Sequence, residues 1–189
     1  MNWLLFVVIA WLFLGLEQGL RDAFALGALG FAPSFAFVLM AFVAMSAPRT
    51  TVFWTAAALG VCLDLLFRLP MPQSTGMVTI VGPHAIAYAL AAQLILSMRA
   101  LMMRRNPLTL GFLAFVGALL ALIILNGIYT IRDAAGAPIE WQPKRQLVAA
   151  MGSALYTGVL ALVLAFVLLP LTGALGFPDH KSRWGGQRR

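Results

Sequence analysis

Long apolar runs alternate with short polar segments along the whole chain. Six runs approach the roughly 20 residues that a helix needs to cross about 30 Å of hydrocarbon. The predicted helices cover residues 2 to 16 or 20, 32–47, 50–67, 82–101, 108–131 and 147–169. This pattern predicts an all-α, polytopic integral membrane protein whose six transmembrane helices form one bundle.

Prolines, glycines and charged residues mark the boundaries between the predicted helices. Pro33 and two nearby glycines interrupt the second apolar run, so we expect a broken or re-entrant approach to that helix. Two substantial loops are predicted, at 68–81 and 132–146. The sequence therefore predicts one six-helix transmembrane domain at 1–176, followed by a basic cytoplasmic tail at 177–189.

The composition supports a membrane protein. Hydrophobic residues make up 62% of the chain and charged residues 10%, with a mean hydropathy of +0.93, which excludes an ordinary soluble domain. The formal net charge of +7 resides at the ends of apolar runs and forms no stripe with interleaved aromatics. We therefore expect no nucleic-acid partner. The one cysteine, Cys62, excludes an internal disulfide and any cysteine-based zinc or iron–sulfur site.

The distribution of basic residues predicts the orientation in the bilayer. With six spans both termini share a side, and basic residues near helix ends favour the cytoplasm. The side of the termini carries Arg49, Arg99, Arg104, Arg105, Lys181, Arg183, Arg188 and Arg189, whereas the other side carries Arg21, Arg68, Arg132, Lys144 and Arg145. We therefore expect cytoplasmic N- and C-termini, with the basic tail close to anionic lipid headgroups of the bilayer.

Asp64 is a carboxylate inside a predicted span, and Ala56, Gly60 and Asp64 recur every four residues along one stripe. Small residues on that stripe let another backbone approach closely, and a carboxylate facing lipid would be disfavoured by roughly 2.5–3.5 kcal/mol. We therefore expect Asp64 to point into the bundle, where Arg68 can reach back one turn and His84 can pair with it. These three residues then form either a structural polar clasp or a partner-binding site.

Signatures of catalysis are not visible in the sequence. The two histidines are His84 and His180, no glycine-rich loop suits a phosphate, and no carboxylates pair closely along the chain. No spacing of metal ligands is visible either. We expect the protein not to be an enzyme and to have no cofactor.

The segments on either side of the predicted 68–81 loop carry a resemblance to a known family. GVCLDLL at 60–66 and GPHAIAY at 82–88 resemble the signature of MreD, the bacterial rod shape-determining membrane protein family. We expect close helix packing at Ala56 and Gly60, which lie on the stripe of small residues, and also at Gly82 and Pro33. The loop at 68–81 is longer than the link that is usual in the family, and the loop at 132–146 is long as well, so we expect partner contacts outside the membrane to differ.

The resemblance also implies a function and partners. It implies a scaffold of the bacterial inner membrane that binds MreC, maintains cell shape and helps to position the cell-wall elongation machinery. That machinery includes the RodA glycosyltransferase and its transpeptidase partner. Gly15 and Gly19 form a small-xxx-small pair, which suits helix packing and leaves a homo-oligomer open.

A vitamin-type (ECF) transporter offers the alternative function. Its substrate-binding membrane component has a similar six-helix architecture, and architecture alone does not distinguish the two functions. Such components usually carry alanines four residues apart on the first helix, where the coupling subunit docks. Ala10 has no such partner in this chain, which favours the scaffold.

Overall fold

The computed structural model describes residues 2–26, 30–70, 77–102, 106–136 and 141–176. Its elements are α1 (Trp3–Leu20), α2 (Phe35–Ser46), α3 (Arg49–Leu66), β1 (Leu69–Pro70), β2 (Met77–Val78), α4 (Pro83–Met98), α5 (Pro107–Ala134), α6 (Pro143–Leu168) and α7 (Leu171–Ala174). The predicted tail at 177–189, together with Arg104 and Arg105, lies outside the described residues.

Local capping explains where several helices begin. The side chains of Asn2, Ser34 and Asn106 accept hydrogen bonds of 3.3, 3.1 and 2.9 Å from backbone N–H groups in the first turns of α1, α2 and α5. Proline occupies the first turn of α4, α5 and α6, where its missing N–H leaves no hydrogen bond unmade.

Helix length separates two groups of helices. Among the described residues, α1, α3, α5 and α6 are long and apolar enough to cross a membrane. Helices α2 and α4 are also apolar but have 12 and 16 residues. The prediction of a mainly helical chain is therefore confirmed, and four of the six predicted spans are helices long enough to cross a membrane, whereas the other two are shorter than a typical span.

The main differences from the predicted boundaries lie at three places. Helix α2 begins at Phe35 rather than near residue 32, because Ser34 supplies its N-cap. Helices α5 and α6 extend beyond their apolar stretches and shorten the predicted 132–146 loop, since backbone hydrogen bonds continue through polar residues. Part of the predicted 68–81 loop is a small antiparallel hairpin that pairs Leu69 with Val78.

Helix α2 lies at the centre of the bundle. Every residue from Phe35 to Met45 is buried, and the helix contacts α1, α3, α4, α5 and α6. A helix that is apolar on all sides is expected in such a position. The surrounding helices turn large apolar side chains outward, as Trp11 on α1 does with 80% of its surface exposed.

The two ends of the bundle differ. The C-terminal parts of α1, α3 and α5 and the N-terminal parts of α2, α4 and α6 surround a common cavity at one end. At α1's other end, the Asn2 N–H donates a 3.0 Å hydrogen bond to the carbonyl of Leu175, which follows α7. The first and last described segments therefore meet.

Candidate functional site: carboxylates at two helix N-termini and the cavity between them

Asp64 joins the end of α3 to the beginning of α4. Its side chain is buried, with the residue only 1% exposed. Oδ2 accepts a 2.7 Å hydrogen bond from the Gly82 N–H, and Oδ1 accepts a 3.0 Å bond from the His84 N–H. The Nδ1 atom of His84 lies 2.7 Å from Oδ1. The carboxylate therefore satisfies N–H groups that the start of α4 leaves unpaired, and its charge suits the positive end of that helix.

Two glycines make this joint possible for different reasons. A Cβ atom on Gly60 would lie 2.5 Å from Cα of Ala85, so α3 and α4 are in backbone contact there. Gly82 has φ of +121°, a conformation that side chains disfavour, and this turns its N–H toward Asp64. Ala56 is fully buried one turn before Gly60. Gly60 and Ala56 thus lie where close packing was expected, while Gly82 has a backbone role.

Arg68 is not part of the joint. Helix α3 ends at Leu66, so Arg68 no longer sits one helical turn above Asp64 and forms no ion pair with it. Its exposed side chain lines the cavity instead. The predicted group of three residues therefore reduces to Asp64 and His84. The expected pairing with Arg68 is wrong because the chain leaves the helix before reaching it.

Glu17 forms a second joint that the sequence analysis missed. It lies in the last turns of α1 and is 6% exposed. Its Oε2 accepts hydrogen bonds from the Ala36 N–H at 3.0 Å and from the Ser34 hydroxyl at 3.3 Å, at the start of α2. Glu17 thus accepts hydrogen bonds at the N-terminus of α2, as Asp64 does at the N-terminus of α4.

A repeated spacing was the available signal for Glu17. Each of these carboxylates is followed four residues later by an arginine: Glu17 by Arg21, and Asp64 by Arg68. Glu17 bonds Ala36 nineteen residues ahead, and Asp64 bonds His84 twenty residues ahead. The units α1–α2 and α3–α4 therefore share one arrangement, in which a carboxylate at the end of a long helix receives N–H groups from the next, shorter helix.

At the C-terminal end of α2, a side chain donates hydrogen bonds to backbone carbonyls that the helix leaves unpaired. Nη1 of Arg99 donates hydrogen bonds of 2.7 and 2.6 Å to the carbonyls of Ala44 and Ala47. A cation at a helix C-terminus complements the helix dipole as the carboxylate does at the N-terminus. Arg99 was predicted only as part of a basic helix end, and its side chain closes the most buried helix of the fold.

Hydrogen bonds to polar side chains hold the non-helical segment before α2 inside the bundle. The Ser34 N–H donates to the Thr157 hydroxyl at 3.0 Å, and the Ala32 N–H donates to the Ser153 hydroxyl at 3.2 Å. The Ser34 hydroxyl also lies 3.3 Å from the Tyr88 hydroxyl. This segment therefore connects α6 and α4 to the Glu17 joint, and non-helical backbone inside the bundle finds the partners that it requires.

Pro33 belongs to this non-helical segment before α2. It is buried and lines the cavity, immediately before the Ser34 N-cap of α2. Proline lacks an N–H, so its backbone adds no donor that would need a partner. Its position is at the approach to a helix, whereas close packing between helices was expected.

The cavity between the two joints has a volume of about 420 Å³. Glu17, Arg21 and Arg68 line it together with His84, and Tyr129 and Trp141 line it from the side of α5 and α6. This volume lies in the range typical of small-molecule sites, about 300–1,000 Å³. Within the described ranges no group of three or more His, Cys, Asp or Glu side chains is placed to hold a metal ion.

Comparison with known proteins adds no relative to this geometry. No family model, curated protein or solved structure matches the chain.

Proposed function

We propose that this protein is a non-catalytic membrane scaffold of the MreD type, which binds MreC within the bacterial cell-wall elongation machinery. The observation that carries the proposal is the joint between α3 and α4. The two segments that resemble the MreD signature contribute Asp64 and Gly60 from one helix and Gly82 and His84 from the next, and they meet in one contact.

A joint of this kind suits a protein that holds others in place. Backbone contact at Gly60 leaves α3 and α4 little freedom to slide, and the Asp64 carboxylate fixes the start of α4 through two N–H groups. A contact that depends on several groups at fixed positions is expected to allow a single arrangement of the two helices. The outer apolar faces of the bundle then remain available for lipid and for the transmembrane helix of a partner.

We further propose that the six helices α1 to α6 all cross the bacterial inner membrane. Helix α2, at about 18 Å, is shorter than the hydrocarbon layer. Its span is completed by the segment before it, because non-helical backbone is tolerated at membrane depth where it lines a cavity. The Glu17 and Asp64 carboxylates replace the water that would otherwise satisfy the first turns of α2 and α4. The contact between Asn2 and Leu175 supports termini on the same side.

The orientation has a direct test. We expect cytoplasmic termini, so protease added to spheroplasts should leave the tail at 177–189 intact. Digestion of the tail from outside would overturn the orientation.

The scaffold proposal is tested by co-purification. The full chain, co-expressed with MreC from the same bacterium, should retain MreC through purification from membranes in mild detergent. The Asp64→Asn variant should retain less MreC, because the amide nitrogen cannot accept the N–H bonds that one carboxylate oxygen accepts. Asp22→Asn, an exposed carboxylate at the same end of the bundle, provides the control.

The experiment tests MreC binding by the whole protein separately from the contribution of the Asp64 carboxylate. Failure of the unaltered chain to retain MreC would reject the scaffold proposal. Unchanged MreC retention by Asp64→Asn, together with unchanged thermal stability in detergent, would reject any role for the buried charge.

The cavity favours a second candidate, the substrate-binding membrane component of a vitamin-type transporter. A chamber of about 420 Å³ with polar and aromatic walls is a property that such a component requires. Co-purification distinguishes the two candidates, because a transporter component should retain a coupling subunit and its ATPases in place of MreC.

A further inference from the structure

Two guanidinium groups line the cavity without a bonded partner among the residues that the structure describes. Arg21 directly follows α1, and Arg68 follows α3. Neither makes a hydrogen bond or an ion pair with another described residue, and both side chains are exposed. Guanidinium groups present several N–H donors in a fixed geometry that matches carboxylate and phosphate.

The ring of Phe67 contacts one of these cations and is the chain neighbour of the other. The guanidinium carbon of Arg21 lies 4.2 Å from the centre of the Phe67 ring, and Arg68 is the next residue in the chain. The His84 ring stacks on Phe67 at 5.8 Å between centroids, with 25° between the planes. Because Nδ1 of His84 contacts Asp64, its Nε2 is the ring nitrogen left for another partner.

Neither Glu17 nor Asp64 forms an ion pair or hydrogen bond with these guanidinium groups. Glu17 lines the cavity, but its Oε2 accepts from the Ala36 N–H and the Ser34 hydroxyl at the start of α2. Asp64 is committed in the same way to the start of α4. Among the described residues that line the cavity, the two arginines therefore outnumber the one carboxylate, and a concave surface with excess positive charge attracts an anion.

The predicted orientation makes the two arginines unusual. Both belong to the side of the membrane opposite the termini, where basic residues near helix ends are depleted. Their convergence on one cavity, from two different helices, supplies a reason for their presence on that side.

An apolar and aromatic wall completes the cavity. The Tyr129 and Trp141 rings lie 4.7 Å apart, and the Trp141 indole N–H donates a 2.9 Å hydrogen bond to Oδ1 of Asn126. Leu122 and Leu125 line the same side. This wall offers a fixed surface to the apolar part of a ligand.

We infer that the cavity binds a small organic anion, whose phosphate or carboxylate group is held by Arg21 and Arg68 and whose apolar part lies against Tyr129 and Trp141. The inference rests on the cavity and not on the proposed scaffold function, and it applies to either candidate function. The anion is either a soluble compound or the headgroup of an anionic phospholipid, since both present the same chemistry to the guanidinium groups.

Binding of phenyl phosphate to the full chain, reconstituted in phosphatidylcholine nanodiscs, tests the inference. Phenylethylamine serves as the probe of opposite charge with a similar ring. The protein should bind phenyl phosphate, measured by calorimetry, and should bind phenylethylamine at least about tenfold more weakly, because the cavity carries excess positive charge.

Three variants assign the binding to the arginines. The double variant Arg21→Gln/Arg68→Gln should bind phenyl phosphate at least about tenfold more weakly, and Arg21→Lys/Arg68→Lys should fall between it and the unaltered chain. Arg132→Gln is the matched control, because Arg132 lies in the last turn of α5 at the same end and does not line the cavity. The thermal unfolding midpoint without ligand shows whether each variant is folded.

A comparison of nanodiscs with and without phosphatidylglycerol distinguishes a lipid headgroup from a soluble anion. If phosphatidylglycerol in the nanodiscs weakens phenyl phosphate binding to the unaltered chain, a lipid headgroup occupies the site. If it does not, the ligand is a soluble anion. Equal binding of phenyl phosphate by the unaltered chain and a folded double glutamine variant would overturn the inference. Tighter binding of phenylethylamine than of phenyl phosphate, or no binding of phenyl phosphate in phosphatidylcholine nanodiscs, would overturn it as well.

Discussion

Replacement of Gly60 by alanine tests the contact between α3 and α4 against the intrinsic preference of the helix. Alanine is favoured over glycine in a helix interior by about 1 kcal/mol, so propensity alone predicts a more stable protein. At Gly60, however, the added Cβ would lie 2.5 and 2.6 Å from Cα and N of Ala85 and 2.8 Å from the carbonyl carbon of His84. All three are backbone atoms, so relief requires α4 to move as a whole.

The expected magnitude follows from these two opposing effects. Overpacking against a rigid neighbour costs up to about 3 kcal/mol, and subtraction of the propensity gain leaves a net loss of about 2 kcal/mol. Movement of α4 would also lengthen the bonds from Asp64 to Gly82 and His84, which are part of the same contact. Gly60→Ala should therefore destabilise the protein although it improves local helix propensity.

Gly127 offers a matched control. It lies within α5, is exposed, and a Cβ atom there would have no heavy atom within 4 Å. Gly127→Ala should be neutral or stabilising by up to about 1 kcal/mol. Both variants can be unfolded in mixed micelles of dodecyl maltoside and dodecyl sulfate while tryptophan fluorescence is recorded. A Gly60→Ala variant at least as stable as Gly127→Ala would refute the close approach of the two helices.

Three further substitutions examine the buried helix ends. Asp64→Ala should lower the unfolding free energy by about 2–4 kcal/mol, because it leaves the N–H groups at the start of α4 unpaired, and the micelle titration should show it. Glu17→Ala should cost about 1–3 kcal/mol for the corresponding reason in α2, whereas Asp22→Ala, which removes an exposed carboxylate nearby, should shift the thermal midpoint little. Arg99→Met should cost about 1–3 kcal/mol and speed amide hydrogen exchange in the last turn of α2; unchanged exchange would contradict the capping role.

The helices themselves could be predicted from the sequence, because apolar runs bounded by proline and charge define them directly. Their depth in the bundle could not. Helix α2 is apolar on every side, but a span that faces lipid can be so too, and only its contacts with five other helices show that it is central. The hairpin of Leu69 and Val78 was also beyond reach, because strands of two residues carry no periodic signal.

Half of the candidate site followed from the sequence. Asp64 stood out because it interrupts an apolar run, and the structure brings it together with His84. Glu17 did not stand out, since it sits beside Arg21 at a helix end, where a solvated carboxylate is the ordinary expectation. Its burial depends on the folding back of residues 30–34, which places the start of α2 next to it. Long-range placement of this kind is set by packing and leaves only the repeated spacing as a trace.

The enclosure of α2 has a consequence for biogenesis. This segment is synthesised second, yet its final neighbours include α5 and α6, which leave the ribosome last. In the proposed six-span arrangement, much of its surface would contact lipid or insertion machinery until they arrive, while the bond from Glu17 to Ala36 involves only early parts of the chain. In that arrangement an α1–α2 hairpin held by this carboxylate would form before the later helices, and nascent chains truncated before α6 would leave the surface of α2 that α6 covers open to quality-control proteases.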